Sequence, residues 1–176
     1  MNRVGEFEKV SFEQFYTAMS EIVETEQKEE FIRSAYDNLA LPNRATSGSA
    51  GYDFKSPFDF TLKPGQTIKI PTGIRVKIDD GWWLGGFPRS GLGFKYRFQL
   101  DNTVPVIDSD YYGSDNEGHI FIKATNDTKE NKTIEIHAGD KFVQGIFIPY
   151  GITYSDNVDN VRNGGMGSTD TKENVR

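Results

Sequence analysis

The chain contains no cysteine, which excludes disulfides, thiolate nucleophiles and any zinc site that needs a cysteine ligand, and which suits a reducing interior. It has no apolar run long enough to cross a bilayer. The start, Met1-Asn2-Arg3-Val4-Gly5-Glu6, carries no apolar signal core, so the expectation is a cytoplasmic protein with no membrane partner. Basic residues are in deficit, 20 Lys and Arg against 26 Asp and Glu for a net charge of −6, and a general nucleic-acid binder would need the opposite balance. Any polyphosphate must therefore be held locally, by a few cations and by metal. The histidines, His119 and His137, lie far apart without ligand spacing and receive no function, and no serine sits in a nucleophile motif. The glycine-rich end lacks the lysine that a P-loop requires.

Apolar residues make up 36% and aromatics 13% of the 176, enough for one domain with its own core plus an appendage. Before Pro42 the apolar period is helical. Ser11 and Gln14 have capping-box spacing, and Phe12, Phe15, Tyr16, Met19, Ile22 and Val23 share one face. Phe31, Ile32, Ala35, Tyr36 and Leu39 continue the period until Pro42, which cannot extend a helix. The pattern predicts two short helices, or one bent one, packing on the main domain or on a neighbouring subunit.

Beyond Pro42 the period falls to two. Phe58, Phe60 and Leu62 alternate with polar residues, as do Ile68 and Ile70; Ile74, Val76 and Ile78; Ile120 and Ile122; and Ile134 and Ile136. These short strands predict a mainly β fold, a sandwich or jelly-roll barrel. The expected organisation is a helical extension over residues 1–40, a β-barrel domain over 41–160 and a glycine-rich tail over 161–176, the last expected to be mobile.

Two segments carry chemistry. Pro88-Arg89-Ser90-Gly91-Leu92-Gly93 offers a guanidinium, a hydroxyl and backbone N–H groups, and as a loop it can cradle phosphate oxygens; it also reads as an ordinary surface turn. Val106-Ile107-Asp108-Ser109-Asp110-Tyr111-Tyr112-Gly113 sets two carboxylates one residue apart. On a strand both would face one side, where they raise one pKa or share a cation; an Asp-rich turn is the alternative.

Five segments in order make the chain similar to the trimeric dUTPase family: Ala50-Gly51-Tyr52-Asp53; Pro88 to Leu92; Asn102 through Val106-Ile107-Asp108-Ser109-Asp110-Tyr111 to Gly113; Gly139-Asp140-Lys141-Phe142-Val143-Gln144; and Arg162 through Gly164-Gly165-Met166-Gly167-Ser168-Thr169. The resemblance covers residues 41–170 and implies a jelly-roll-like barrel that hydrolyses dUTP to dUMP and pyrophosphate with Mg²⁺. This activity keeps uracil out of DNA and supplies dUMP for thymidylate synthesis. It further implies that Asp108 activates the attacking water, that Arg89, Ser90, the Gly91 N–H and Gln144 bind phosphate, and that Asn102 with the Val106-Ile107 hairpin backbone reads uracil. Tyr111 is implied to lie against the deoxyribose. Arg162, Met166, Gly167 and Ser168 would belong to a tail that closes over the nucleotide, Arg162 reaching the γ-phosphate. Mg²⁺ would be held by phosphates and water with no direct protein ligand, Asp53 acting indirectly. The family forms homotrimers with shared active sites.

The sequence departs from the family pattern at Pro105, where glycine is usual, at Met166, where phenylalanine is usual, and at Ser114-Asp115-Asn116-Glu117-Gly118, which lengthens a connection and reads as a solvated surface loop. Two other readings share the fold. A dCTP deaminase would use a glutamate in place of the Asp108 hairpin. A nucleotide-sensing regulatory protein would use the N-terminal helices to grip a protein partner.

Overall fold

The computed structural model describes residues 2–159. Arg162, Met166, Gly167 and Ser168, with the glycine-rich tail as a whole, lie outside the described residues. The chain opens with a strand, β1 (Gly5–Lys9), followed by two helices, α1 (Phe12–Ser20) and α2 (Lys28–Asp37). Then come β2 (Tyr52–Lys55), β3 (Phe60–Leu62), β4 (Thr67–Pro71), β5 (Ile74–Ile78), β6 (Trp82–Pro88), α3 (Ser90–Tyr96), β7 (Phe98–Leu100) and β8 (Val106–Ile107). A 3₁₀ turn (Ser109–Gly113), β9 (Phe121–Asn126), β10 (Ile134–Ile136) and β11 (Lys141–Pro149) complete the described fold, which is mainly β.

Every strand pairing is antiparallel. The sheet orders are β1-β5, β10-β3, β2-β11-β6-β8 and β4-β9-β7, so the longest sheet places β11 between β2 and β6. Its inward side chains, Phe54, Leu84, Phe142 and Val143, meet Ile70, Val76, Phe98, Ile122 and Ile134 from the other sheets in one buried cluster. Apolar burial of this kind contributes about 25 cal/mol per Å² and dominates the stability of such a fold. A second cluster joins Val10, Phe15, Met19 and Ile32 beneath the helices, and half-buried Phe58 packs against both.

Strand β1 does not appear in the sequence pattern. Phe7 is its one large apolar side chain, and its pairing with β5 sets Glu8 beside Arg75 instead of supplying alternating hydrophobes. The segment before Pro42 is thus a strand followed by helices. Helix α2 ends at Asp37 because the Asn38 side-chain amide donates to the Ser34 carbonyl at 2.9 Å and the chain turns there, before the proline. Helix α1 starts as the spacing predicts: the Ser11 hydroxyl accepts the Gln14 N–H at 3.1 Å. The reciprocal half of the box comes from elsewhere. Glu117 accepts the Ser11 N–H at 2.7 Å and the Ser11 hydroxyl at 2.6 Å.

The connection Ser114–Gly118 is therefore not a solvated turn. Ser114 is buried, Glu117 anchors α1, and Glu117 and Gly118 both take positive φ, 58° and 68°. Burial alone would raise the Glu117 carboxyl pKa, but the two Ser11 hydrogen bonds outweigh it and hold the group below the usual range. His119 is buried beside this loop, between Phe15 and Phe121. The Gly73 N–H donates to its Nε2 at 2.9 Å, which requires a neutral ring, and Nδ1 lies 3.5 Å from the Gln14 side-chain amide. Burial lowers its pKa to about 4.

Candidate active site

The first group of candidate residues gathers where β2, β11 and the end of β6 run side by side. Asp53 on β2 is the register partner of Gln144 on β11, and Gln144 in turn faces Phe87 on β6. The Asp53 carboxylate is buried. One oxygen lies 3.3 Å from Arg89 Nε and the other accepts from Lys141 Nζ at 2.8 Å. Pairing compensates the cost of burying the carboxylate, and it aims a partly exposed guanidinium outward from a fixed base. Gln144 Nε2 donates to the Pro88 carbonyl at 3.3 Å. A side chain at residue 51 would overlap the Gln144 amide oxygen, so Gly51 is what lets that amide lie flat against β2.

Ser90 and Gly91 do not form a loop. They open α3, with Arg89 in extended backbone at its N-cap. The first-turn N–H groups of a helix have no acceptor within the helix, so Ser90 and Gly91 present donors to solvent beside the Arg89 side chain. No Cβ-sized obstacle stands near Gly91. The chemistry expected of a phosphate-binding loop is thus offered by a helix start.

The second group lines a small pocket formed by Asn102, Pro105, Val106, Ile107, Tyr111, Ile120 and Phe121. Val106 and Ile107 form a short strand that pairs with Gly85 and Leu84 in the middle of β6, and not the expected hairpin. Pro105, which lacks an N–H, accepts the Gly86 N–H at 3.0 Å through its carbonyl and packs its ring on Gly86, so the substitution is accommodated in the strand pairing. Asp108 follows β8 as the N-cap of the 3₁₀ turn and is exposed. Asp110 lies inside that turn, so the two carboxylates are not strand neighbours on one face. A strand ends at Ile107 because the next residues close a turn, with Tyr111 N–H donating to Asp108 carbonyl at 3.2 Å.

Strand β6 joins the groups. Its middle pairs with β8 at the pocket and its last residue, Pro88, leads to Arg89, about 13 Å further along at the usual strand rise. Of the predicted residues, Asp53, Arg89 and Gln144 meet in the first group, and Asn102, Val106, Ile107 and Tyr111 meet in the second. Sequence reasoning did not single out Lys141, Ile120 or Phe121. Lys141 stood inside a motif already noted, and its pairing with Asp53 across 88 positions has no local signal. Among the described residues no helix is long and apolar enough to cross a membrane.

The model of the dUTPase family matches residues 37–172. The deoxyuridine 5'-triphosphate nucleotidohydrolase of Lactococcus lactis is 39% identical over 134 residues, covering 74% of this chain and 88% of its own. The crystal structure of dUTPase from Streptococcus mutans superposes with a TM-score of 0.61 at 32% identity, over 84% of this chain and 97% of that one. The dUTPase of Staphylococcus aureus phage phi11, described with a structural Mg(II) ion, shares the fold at 22% identity and a TM-score of 0.57, over 70% of this chain and 92% of that one. A family match across more than three quarters of the chain, joined by a relative 39% identical over 74% of it, leads to one conclusion: the chain belongs to the dUTPase family.

Proposed function

We propose that the protein hydrolyses dUTP to dUMP and pyrophosphate. The observation that carries this reading is one strand, β6, that leads from a small pocket fit for a base to a guanidinium aimed by a buried carboxylate. Asn102 and the backbone of Val106 and Ile107 read the uracil edge, while Tyr111 closes the pocket against a ribose 2′-hydroxyl. Arg89, Ser90, the Gly91 N–H and Gln144 hold the phosphates and stabilise charge that develops toward the leaving group. Asp108 takes a proton from water as the water oxygen bonds to the α-phosphorus; the bond from that phosphorus to the bridging oxygen breaks and pyrophosphate departs.

The donor set fits a Mg²⁺ carried in on the triphosphate. Asp53 is engaged by Arg89 and Lys141, so any contact it makes with the metal would run through water. When bound, Mg²⁺ supplies neutralisation of phosphate charge.

The same reading gives a cytoplasmic homotrimer with shared sites, built as a jelly-roll-like barrel over residues 41–160 with an extension over 1–40 and a lid over 161–176 that carries Arg162, Met166, Gly167 and Ser168. A dCTP deaminase is disfavoured by Asp108 itself, and a purely regulatory protein by the coexistence of Asp108, Arg89, Ser90 and Gln144.

A nucleotide panel scored for pyrophosphate, with and without Mg²⁺, tests the reading. Mg²⁺-dependent release from dUTP, far faster than from dCTP, dTTP or UTP, is the expected result. Ammonia from dCTP would favour the deaminase, and tight dUTP binding without turnover the regulatory protein.

A further inference from the structure

The extra loop after the 3₁₀ turn is built against Tyr111. Asn116 Nδ2 donates to the Tyr111 hydroxyl at 2.8 Å, and that hydroxyl donates to the His119 carbonyl at 2.8 Å, so both its donor and acceptor capacity are used inside the loop. Asn116 is itself fixed: its Oδ1 accepts the Gly118 N–H at 3.2 Å and its carbonyl accepts the His119 N–H at 3.0 Å. A Cβ on Gly118 would lie 2.7 Å from Tyr112 Cα and 2.8 Å from the Tyr111 carbonyl oxygen, so the loop packs directly on the backbone that carries the ring. The intervening residue, Glu117, is tied to Ser11 at the head of α1, and Tyr112 donates to Glu8 of β1 at 2.8 Å. The N-terminal strand and helix thus grip the turn from one side while Asn116 grips the ring from the other.

We propose that Asn116 is a positioning residue that sets sugar specificity, holding the Tyr111 ring against the pocket so that a ribose is refused. The inference rests on the proposed role of Tyr111. A phenol held at both hydroxyl bonds cannot recede to admit a 2′-hydroxyl; freed of Asn116 it can.

The test compares kcat/KM for dUTP and UTP in the full chain. Asn116→Ala should lower the dUTP preference about fivefold, the size expected for one buried hydrogen bond, chiefly through KM and with kcat for dUTP held within about twofold. Asn116→Ser leaves an acceptor for the Gly118 N–H but is too short to reach the Tyr111 hydroxyl, and it should show the same loss if the alanine variant folds poorly. In a Tyr111→Phe background, which has no hydroxyl, replacing Asn116 should change the preference no further. Equal losses for both nucleotides, or an undiminished effect in the Tyr111→Phe background, would overturn the proposal. Tyr111→Ala separates the two levels. If it leaves the preference intact, the pocket reading itself is wrong; if it collapses the preference while both Asn116 variants retain it, the positioning role alone falls.

Discussion

The two halves of the candidate site are held by different forces. Around Asp53 the structure is electrostatic: one buried carboxylate fixes Arg89 and Lys141, which remain partly exposed and face outward. Around Tyr111 it is packing and neutral hydrogen bonds: the pocket is lined by Pro105, Val106, Ile107, Ile120 and Phe121, and the tyrosine is pinned by an amide and a carbonyl. Under the proposed function, the difference matches what each half would recognise. A triphosphate is bound by charge that need only be aimed, whereas uracil and deoxyribose differ from thymine and ribose by single small groups and need rigid walls.

Asp108, exposed at the start of the 3₁₀ turn that follows β8, carries the proposed water-activating role, and its loss should have the largest effect. Asp108→Asn is expected to reduce turnover of dUTP about a hundredfold to ten-thousandfold, the range for removing a general base, with little change in binding of a non-hydrolysable analogue. Near-normal steady-state turnover in that variant would remove the assigned mechanism.

Acid should weaken the packed half. His119, whose carbonyl holds Tyr111, titrates at about 4 when folded because burial disfavours its charge, against about 6.5 in the open chain. A depressed folded pKa means its contribution is complete above pH 6.5 and is lost as the pH falls toward 4, about 3 kcal/mol in all. Urea melts across that window should show the decline, and His119→Gln, which accepts the Gly73 N–H without titrating, should flatten it. Parallel pH slopes for the two proteins would show that His119 does not carry the effect.

The electrostatic half should respond to Asp53→Asn, which keeps the shape and removes the charge that aims Arg89. About a tenfold fall in kcat/KM is expected for dUTP and UTP alike, so that the ratio between them stays constant, because the uracil and sugar contacts are untouched. A change in that ratio would mean that the halves are not separable. The smallest effect is expected at Met166, beyond the described residues. Met166→Phe should lower KM for dUTP a few-fold with kcat nearly constant, since an aromatic face stacks on a base better than a flexible thioether, a gain on the order of 1 kcal/mol. Unchanged constants would assign the tail to the phosphates alone.

Much of this was legible in the residues. Strands that show one face to the core, such as Ile74-Val76-Ile78 and Ile134-Ile136, declare themselves by alternation, and the capping spacing at Ser11 marks a helix start that the structure keeps. Strand β11 was not legible as a strand. It lies between β2 and β6, and its run from Phe142 to Ile148 is apolar apart from Gln144, with no clean alternation. Nor was the start of α3 at Ser90, since a seven-residue helix with two glycines has no periodic signal.

The sequence by itself determined the family, through five ordered segments whose chemistry is local: an arginine beside a hydroxyl and a glycine, an aspartate beside a tyrosine. The tertiary structure alone decided which of these meet and what holds them. Lys141 reaches Asp53 from across the chain, Gly51 clears space for Gln144, and Asn116 and Glu117 turn an apparent surface loop into a brace between Tyr111 and the N-terminal helix. A residue's type is written at its own position, but a hydrogen bond between partners 106 positions apart exists only once the backbone has brought the two within 3 Å.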